Sequence, residues 1–534
     1  MERKVKFLNS REAAEMIWDG ATLGVNGIQG TGVSEEIHLE VEKRFLETGS
    51  PRNLTVIHVS GIGDGVHKGL NHYAHKGLMK RIIAGHYGMA PKLQPLIEGN
   101  ELEAYNFPQG VISQMFRDSA AKKPRTISNV GLGTFVDPDI DGGKINKVTT
   151  EDLVEKIKFD GKEYLAFKTQ KIDIALIRGT EADEKGNISF ANEPLTLEAL
   201  SIAMSAKNNG GIVMVQVEKI VKNGTINPKD VKIPHVLVDV VVVVQDKANH
   251  MQSFATQFNE AFIRSDLVFD SKAKKEPLNE RKIIARRAAK VLNFSKNTLN
   301  FGFGLPESIP YVLHEEGVID YFTNTVEPGA FGGTPLGGLD FGCSLGPEAI
   351  IDQPYMFDFY DGGGIDAAFL GLAECDQFGN INVSKFGPKI AGCGGFINIT
   401  QNANDLVYCG TFTAGGLKVK AENGKLEILQ EGRAKKFVKA VQQITFSGEV
   451  ARAERKKVLY VTERAVFELL PEGLTLIEIA PGIDLEKDIL QQMEFMPIIS
   501  KDLRLMDEQI FIDKLMGLED YFNQTKPLKE LVNL

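Results

Sequence analysis

One carboxylate stands alone in the most unusual stretch of the chain: Thr325-Val326-Glu327-Pro328-Gly329-Ala330-Phe331-Gly332-Gly333-Thr334-Pro335-Leu336-Gly337-Gly338. Glycines let backbone approach a ligand closely, and prolines stiffen the loop against its unfolded state. A carboxylate held in such a loop is a candidate nucleophile. The same composition also suits a tight linker whose Glu faces water, and composition alone does not choose between them. Two other glycine clusters, Ser60-Gly61-Ile62-Gly63-Asp64-Gly65 and Gly302-Phe303-Gly304-Leu305-Pro306-Glu307, miss the third glycine of a dinucleotide loop, and the chain has no Walker lysine motif. His58, His67, His72, His75 and His86 cluster in sequence without the spacing of metal ligands, and read as packing or surface residues. Cys343, Cys375, Cys393 and Cys409 form no C-x-x-C and read as buried thiols of a reducing compartment.

The elements that must hold these residues are short apolar runs: Leu54–Val59, Ile172–Ile177, Ile212–Val217, Val236–Val244, Ile365–Leu370, Leu406–Tyr408 and Val458–Val461. Apolar without strict alternation, they predict strands covered on both faces. Helical patterns lie between them at Ser10–Asp19, Leu195–Asn208, Glu280–Leu292 and Glu486–Gln492. Such alternation predicts an α/β fold. The tail from Met506 to Leu534 is expected to form one peripheral helix.

A repeat points to duplication. Ile172-Asp173-Ile174-Ala175-Leu176 leads to Glu181-Ala182-Asp183-Glu184-Lys185-Gly186-Asn187-Ile188. Ile365-Asp366-Ala367-Ala368-Phe369 leads, without a gap, to Glu374-Cys375-Asp376-Gln377-Phe378-Gly379-Asn380-Ile381. Each copy reads as a strand followed by a D-x-x-G-N turn. A weaker echo, at a different offset, pairs Thr22–Gly27 with Thr298–Phe303. Two homologous open α/β domains with mainly parallel sheets are expected: residues 1–260, a linker at 261–281, and residues 282–534 carrying Glu327.

The net charge of −10 argues against a general nucleic-acid binder, though not against an anionic ligand met by local donors. The N-terminus lacks the apolar core of a signal peptide, and no run approaches the ~20 residues of a membrane span, so a cytoplasmic protein is expected.

Together the motifs resemble family I coenzyme A transferases, most nearly the single-chain acetate, propionate and short-chain acyl-CoA:carboxylate enzymes. Besides the Glu327 loop, the likeness rests on Tyr105–Gly110, Val130–Pro138, Phe357–Gly364, Gly392–Asn398, Gln443–Gly448 and Tyr460–Phe467. The resemblance implies a ping-pong transfer of CoA between a short-chain acyl-CoA and an acetate, propionate or 3-oxoacid acceptor. It implies Glu327 as the nucleophile that becomes a glutamyl–CoA thioester. It implies oxyanion donors at Gln109, Gly395 and Phe396, and CoA contacts at Asn300, Gly302, Gly304 and Gly394, with the site between the domains. No metal or other cofactor is expected, CoA being a substrate. Similar enzymes are homo-oligomers, often tetramers. Val59-Ser60 stands where relatives often carry Asn-Asn, and no role is carried over there. An acyl-CoA hydrolase with the same intermediate, or a non-catalytic binding protein of the same fold, are the alternatives.

Overall fold

The computed structural model describes residues 5–267 and 276–524. The chain forms two compact units with interleaved segments. The first contains residues 1–268, Val326–Asp358 and Ser384–Asn398; the second contains 269–325, Phe359–Val383 and 399–534. The Glu327 segment therefore groups with the first unit, although it follows the 261–281 stretch in the chain. Part of that expected linker, 268–275, lies outside the described residues.

The first unit is built on an eight-stranded sheet. Its strands are β1 (Lys6–Leu8), β2 (Thr22–Val25), β3 (Leu54–His58), β4 (Met79–Ala84), β5 (Glu103–Asn106), β6 (Ile174–Arg178), β7 (Ile212–Val217) and β8 (Val240–Val243). They lie in the order β1-β8-β7-β6-β2-β3-β4-β5, every pair parallel. The continuous apolar runs are explained by burial on both faces. Ile174 and Leu176 enter one core with Ala13, Ala14, Ile37 and Val41; Ala175 and Ile177 enter the other with Val111, Phe116, Ile202 and Ala206. Helices α1 (Ser10–Glu15) and α2 (Glu35–Thr48) supply the first set, α3 (Gln109–Ala120) and α4 (Ala199–Asn208) the second. Each fully buried Val, Leu or Ile stabilises by about 1.5–3 kcal/mol.

In the second unit, β9 (Thr298–Phe301), β10 (Thr323–Val326), β11 (Ala367–Gly371), β12 (Asp405–Cys409), β13 (Lys457–Val461), β14 (Ala465–Leu470), β15 (Gly473–Ile479) and β16 (Ile498–Leu505) run in the order β10-β9-β11-β12-β13-β14-β15-β16. Pairing is parallel from β10 to β13, antiparallel through β14 and β15, and parallel again to β16. Helices α5 (Glu280–Ala289) and α6 (Ser308–Glu315) belong here; α7 (Gln353–Asp361) and α8 (Phe396–Asn402) each begin in a first-unit segment. The fold class is α/β, as the runs of the sequence imply.

Several boundaries differ from the expected ones for local reasons. The helix expected from Leu195 starts at Ala199, because Leu197 takes a left-handed φ of 53°. The Val236–Val244 run becomes strand only from Val240, after a turn in which Leu237 N–H donates to Pro234 O. Glu486–Gln492 is a π turn over Leu485–Ile489 followed by a short 3-10 turn. The tail is not one helix: a 3-10 turn spans Glu508–Phe511, Gly517 turns the chain with φ 70°, and a short helix spans Leu518–Gln524. Residues 525–534 lie outside the described residues. All four cysteines are buried and unpaired.

Candidate active site

The first unit's site gathers at the carboxyl ends of its parallel strands, where ligands bind in open α/β sheets. Asn106, the last residue of β5, is buried and ties three chain segments together. Its Nδ2 donates to Ala84 O (2.8 Å) and Gly85 O (2.7 Å) at the end of β4, and its Oδ1 accepts from Cys393 N–H (2.9 Å). Gly394 N–H donates to Gly85 O (2.7 Å), so the Gly392–Gly395 turn is laid against the sheet end. A side chain at Gly392 would put its Cβ 2.8 Å from both Gly85 O and His86 Cα, and that glycine's φ of 90° suits no other residue.

Gln109 opens α3 after Pro108. Its N–H donates to Gly394 O (2.9 Å), and the next N–H, of Gly110, donates to Asn398 Oδ1 (3.0 Å). The α3 first turn thereby finds acceptors for N–H groups that a helix cannot satisfy internally. From the other side, α7 is fastened to α3 by Asp358, which accepts from both Arg117 guanidinium nitrogens and from Gln114 Nε2 (3.1 Å). Phe357 on α7 is thus pressed so close to Gly110 that a Cβ there would lie 2.5 Å from its ring.

Glu327 sits against this turn. A Cβ placed on Gly395 would lie 3.1 Å from Glu327 Cγ, 3.3 Å from Phe357 Cζ and 3.5 Å from Glu327 Oε1; one placed on Gly394 would lie 3.6 Å from Gln109 Oε1. Gly395 thus neighbours the carboxylate, and the adjoining Gly394 neighbours the amide oxygen of Gln109. The loop itself is pinned by Gly329, whose φ is 127°, and where a side chain would put Cβ 2.0 Å from Ile351 O. Glu327 is only 8% exposed and Gln109 4%. Glu327 Oε2 and Gln109 Nε2 have no hydrogen-bond partner among the described residues. Burial pushes the Glu327 carboxyl up to about 7, with its own backbone N–H pulling the other way.

Glu327, Gln109, Gly394, Gly395 and Phe396 thus come together. The Phe396 N–H already donates to Cys393 O (3.0 Å), as α8 begins. Asn300, Gly302 and Gly304 belong to the second unit, at the carboxyl end of β9. Asn300 is fully buried; its Nδ2 reaches Thr325 O (3.2 Å) and Tyr360 Oη (3.3 Å), while its Oδ1 has no partner among the described residues. Gly302 N–H donates to Phe369 O (2.8 Å), and Gly304 N–H to Glu307 Oε1 (3.0 Å).

Sequence reasoning assigned no role to Asn106, Phe357 or Asn398, although all three lie in motifs that carried the resemblance. Their part is to place other residues, and only the contacts reveal it. The histidines divide. His58 and His86 are buried and pushed down to about 4 by desolvation. His72 lies between Glu35 (2.9 Å) and Glu42 (2.5 Å), and the two carboxylates raise its pKa against the opposing effect of burial.

The coenzyme A transferase family model matches residues 8–244. The chain is 48% identical to caffeate CoA-transferase of Acetobacterium woodii, over 96% of this chain and 99% of that one. It is 46% identical to acetate CoA-transferase YdiF of Escherichia coli O157:H7, over 96% of each. A crystal structure of the latter acyl-CoA transferase as a thioester complex with CoA superposes with a TM-score of 0.90 at 44% identity, covering 96% of this chain and 97% of that chain. No helix among the described residues is long and apolar enough to cross a membrane. The chain belongs to the coenzyme A transferase family and is an enzyme that transfers CoA between an acyl-CoA and a carboxylate.

Proposed function

We propose that Glu327 is the nucleophile of a ping-pong cycle through a glutamyl–CoA thioester. The supporting observation is a buried carboxylate with one oxygen unpartnered against Gly395, and a buried amide with its N–H₂ unpartnered against the adjoining Gly394. Ionised Glu327 attacks the thioester carbonyl, giving an acyl–glutamyl anhydride and CoA thiolate. The thiolate then attacks the glutamyl carbonyl, forming the enzyme–CoA thioester and releasing the first carboxylate. An incoming carboxylate reverses both steps. No metal or redox cofactor enters the bond changes.

Each step passes through a tetrahedral oxyanion, and one well-aimed donor there is worth about 3–4 kcal/mol. Gln109 Nε2 and the Gly395 N–H are proposed as donors. The Phe396 N–H serves only by sharing the bond it makes to Cys393 O. Contacts to CoA are proposed for Gly394 and for Asn300, Gly302 and Gly304. Burial of Glu327 withholds water from the intermediates, which favours a carboxylate acceptor over hydrolysis. Short-chain acids are the proposed carboxylates; one relative is named for acetate, another for the larger caffeate. A homo-oligomer in the cytoplasm is the setting inferred from the family.

Mass spectrometry of the protein mixed with acetyl-CoA tests the intermediate. A CoA-sized adduct on the Glu327 peptide, lost in Glu327→Ala, is expected; an adduct on another residue would remove Glu327 from this role.

A further inference from the structure

A second pair of buried, unpartnered side chains includes one that lies about one helical turn from Phe357, the ring beside Gly395. Glu198 precedes α4 and is 1% exposed; Gln353 opens α7 and is fully buried. The two loops meet where Gln353 N–H donates to Leu197 O (2.9 Å). Neither Glu198 oxygen, nor Gln353 Nε2 or Oε1, has a hydrogen-bond partner among the described residues. Oδ1 of their neighbour Asp352 is engaged by Thr196 Oγ1 (2.6 Å) and Lys232 Nζ (2.5 Å). Buried polar groups are nearly always satisfied, so these side chains, which make no hydrogen bond of normal geometry, have capacity left for a ligand or water.

Their direction indicates which partner. Gln353 and Phe357 are four apart on α7 and share a face, about 6 Å apart along the axis. Phe357 is the ring that meets Gly395 beside Glu327. On the Glu198 side, Leu195 and Leu197 pack with Val326 and Ala330, which flank the nucleophile's loop. Burial, reinforced by the negative charge of Asp352 and opposed by the backbone N–H groups of Glu198 and Gly27, pushes the Glu198 carboxyl up to about 8. At neutral pH it is mainly a neutral acid with one O–H to donate. Gln353 adds two N–H donors and an acceptor.

We propose that Glu198 and Gln353 form the far wall of the acyl pocket and hydrogen-bond an oxygen substituent, hydroxyl or keto, on the chain of the transferred acid. This rests on Glu327 being the reacting carboxylate. A site built to bond such an oxygen rejects the plain alkyl analogue, which leaves its polar groups unpaired.

The test uses matched acyl-CoA pairs with acetate as acceptor: lactyl against propionyl, and 3-hydroxybutyryl and 4-hydroxybutyryl against butyryl. The wild-type enzyme is expected to favour the hydroxylated member of at least one pair by about tenfold or more in kcat/KM. Gln353→Leu and Glu198→Leu are expected to reduce that ratio at least about tenfold, and Glu198→Gln, which keeps a neutral donor, by less. Should Glu198→Leu fail to fold, Gln353→Leu decides alone. No preference in any pair, or an undiminished ratio in Gln353→Leu, overturns the proposal. Adduct formation on Glu327 from butyryl-CoA separates the two readings. If the wild type forms the adduct but shows no preference, only the pocket is wrong; if no acyl-CoA gives an adduct, the nucleophile reading fails first.

Discussion

The two units share one local frame and use it differently. In the first, β2 pairs with β6 so that Leu23 faces Ile174 and Val25 faces Leu176. In the second, β9 pairs with β11 so that Leu299 faces Ala367 and Phe301 faces Phe369. The two sequence echoes, which differ in offset, therefore become the same strand pair in the same register. Even the clasp is repeated: Asp173 accepts from Thr22 N–H (3.0 Å), and Asp366 from Thr298 N–H (3.0 Å). The D-x-x-G-N turns match too, with Asp183 accepting from Asn187 N–H and side chain, and Asp376 from those of Asn380. One strand further, Thr22 faces Thr55 while Thr298 faces Thr323. Counting on, Val59 occupies the strand-end position that Glu327 occupies in the other copy. The frame fixes where a strand end falls, and only one copy puts a reactive group there.

The sharpest way to break this comparison is to move the carboxylate. Glu327→Val combined with Val59→Glu is expected to give no CoA adduct by mass spectrometry and no transfer, because the Gly395 turn lies against Glu327. Next in size, Gln109→Ala is expected to lower kcat by ~10²-fold, read in a steady-state transfer assay. A smaller effect is the pH dependence of the first half-reaction. Glu327 must be ionised to attack, and its pKa is raised to about 7, so kcat/KM for the acyl-CoA should rise about tenfold between pH 6 and 8.

Stability should move the opposite way. Glu327 and Glu198 bind protons more tightly folded than unfolded, so the native state holds more protons between pH 4.5 and about 8, and stability falls as pH rises through that window. A higher Tm at pH 5 than at pH 8, with a flatter trend in Glu198→Gln, is the expected result. Smallest of all, Asp183→Ala and Asp376→Ala should each destabilise by about 1–3 kcal/mol in denaturant melts, and by similar amounts, if the turns are true equivalents.

Much of the frame was legible because parallel strands buried on both faces leave continuous apolar runs, as at Ile212–Val217. The D-x-x-G-N turns were legible because a side chain bonds its own backbone. The catalytic loop could be singled out by Glu327 among glycines, yet its burial could not. Leu197 illustrates a different limit: its left-handed conformation, which delays α4 to Ala199, leaves no mark in residue type. Glu198 and Gln353 were passed over because an unpartnered carboxyl or amide is a property of surroundings. The interleaving of segments was equally hidden, since a chain's order does not announce which stretches will pack together.

That interleaving bears on how the protein is made. The unit that holds Glu327 and Gln109 needs residues as late as Asn398, which accepts from Gly110 N–H, after Cys393 and Gly394 have tied the glycine turn to Asn106 and Gly85. A ribosome that has released the first 268 residues has delivered the whole eight-stranded sheet but neither the nucleophile nor its glycine turn. The carboxyl end of that sheet stays without its glycine turn until part of the second unit has been synthesised, so the reactive centre is completed late in the chain's synthesis.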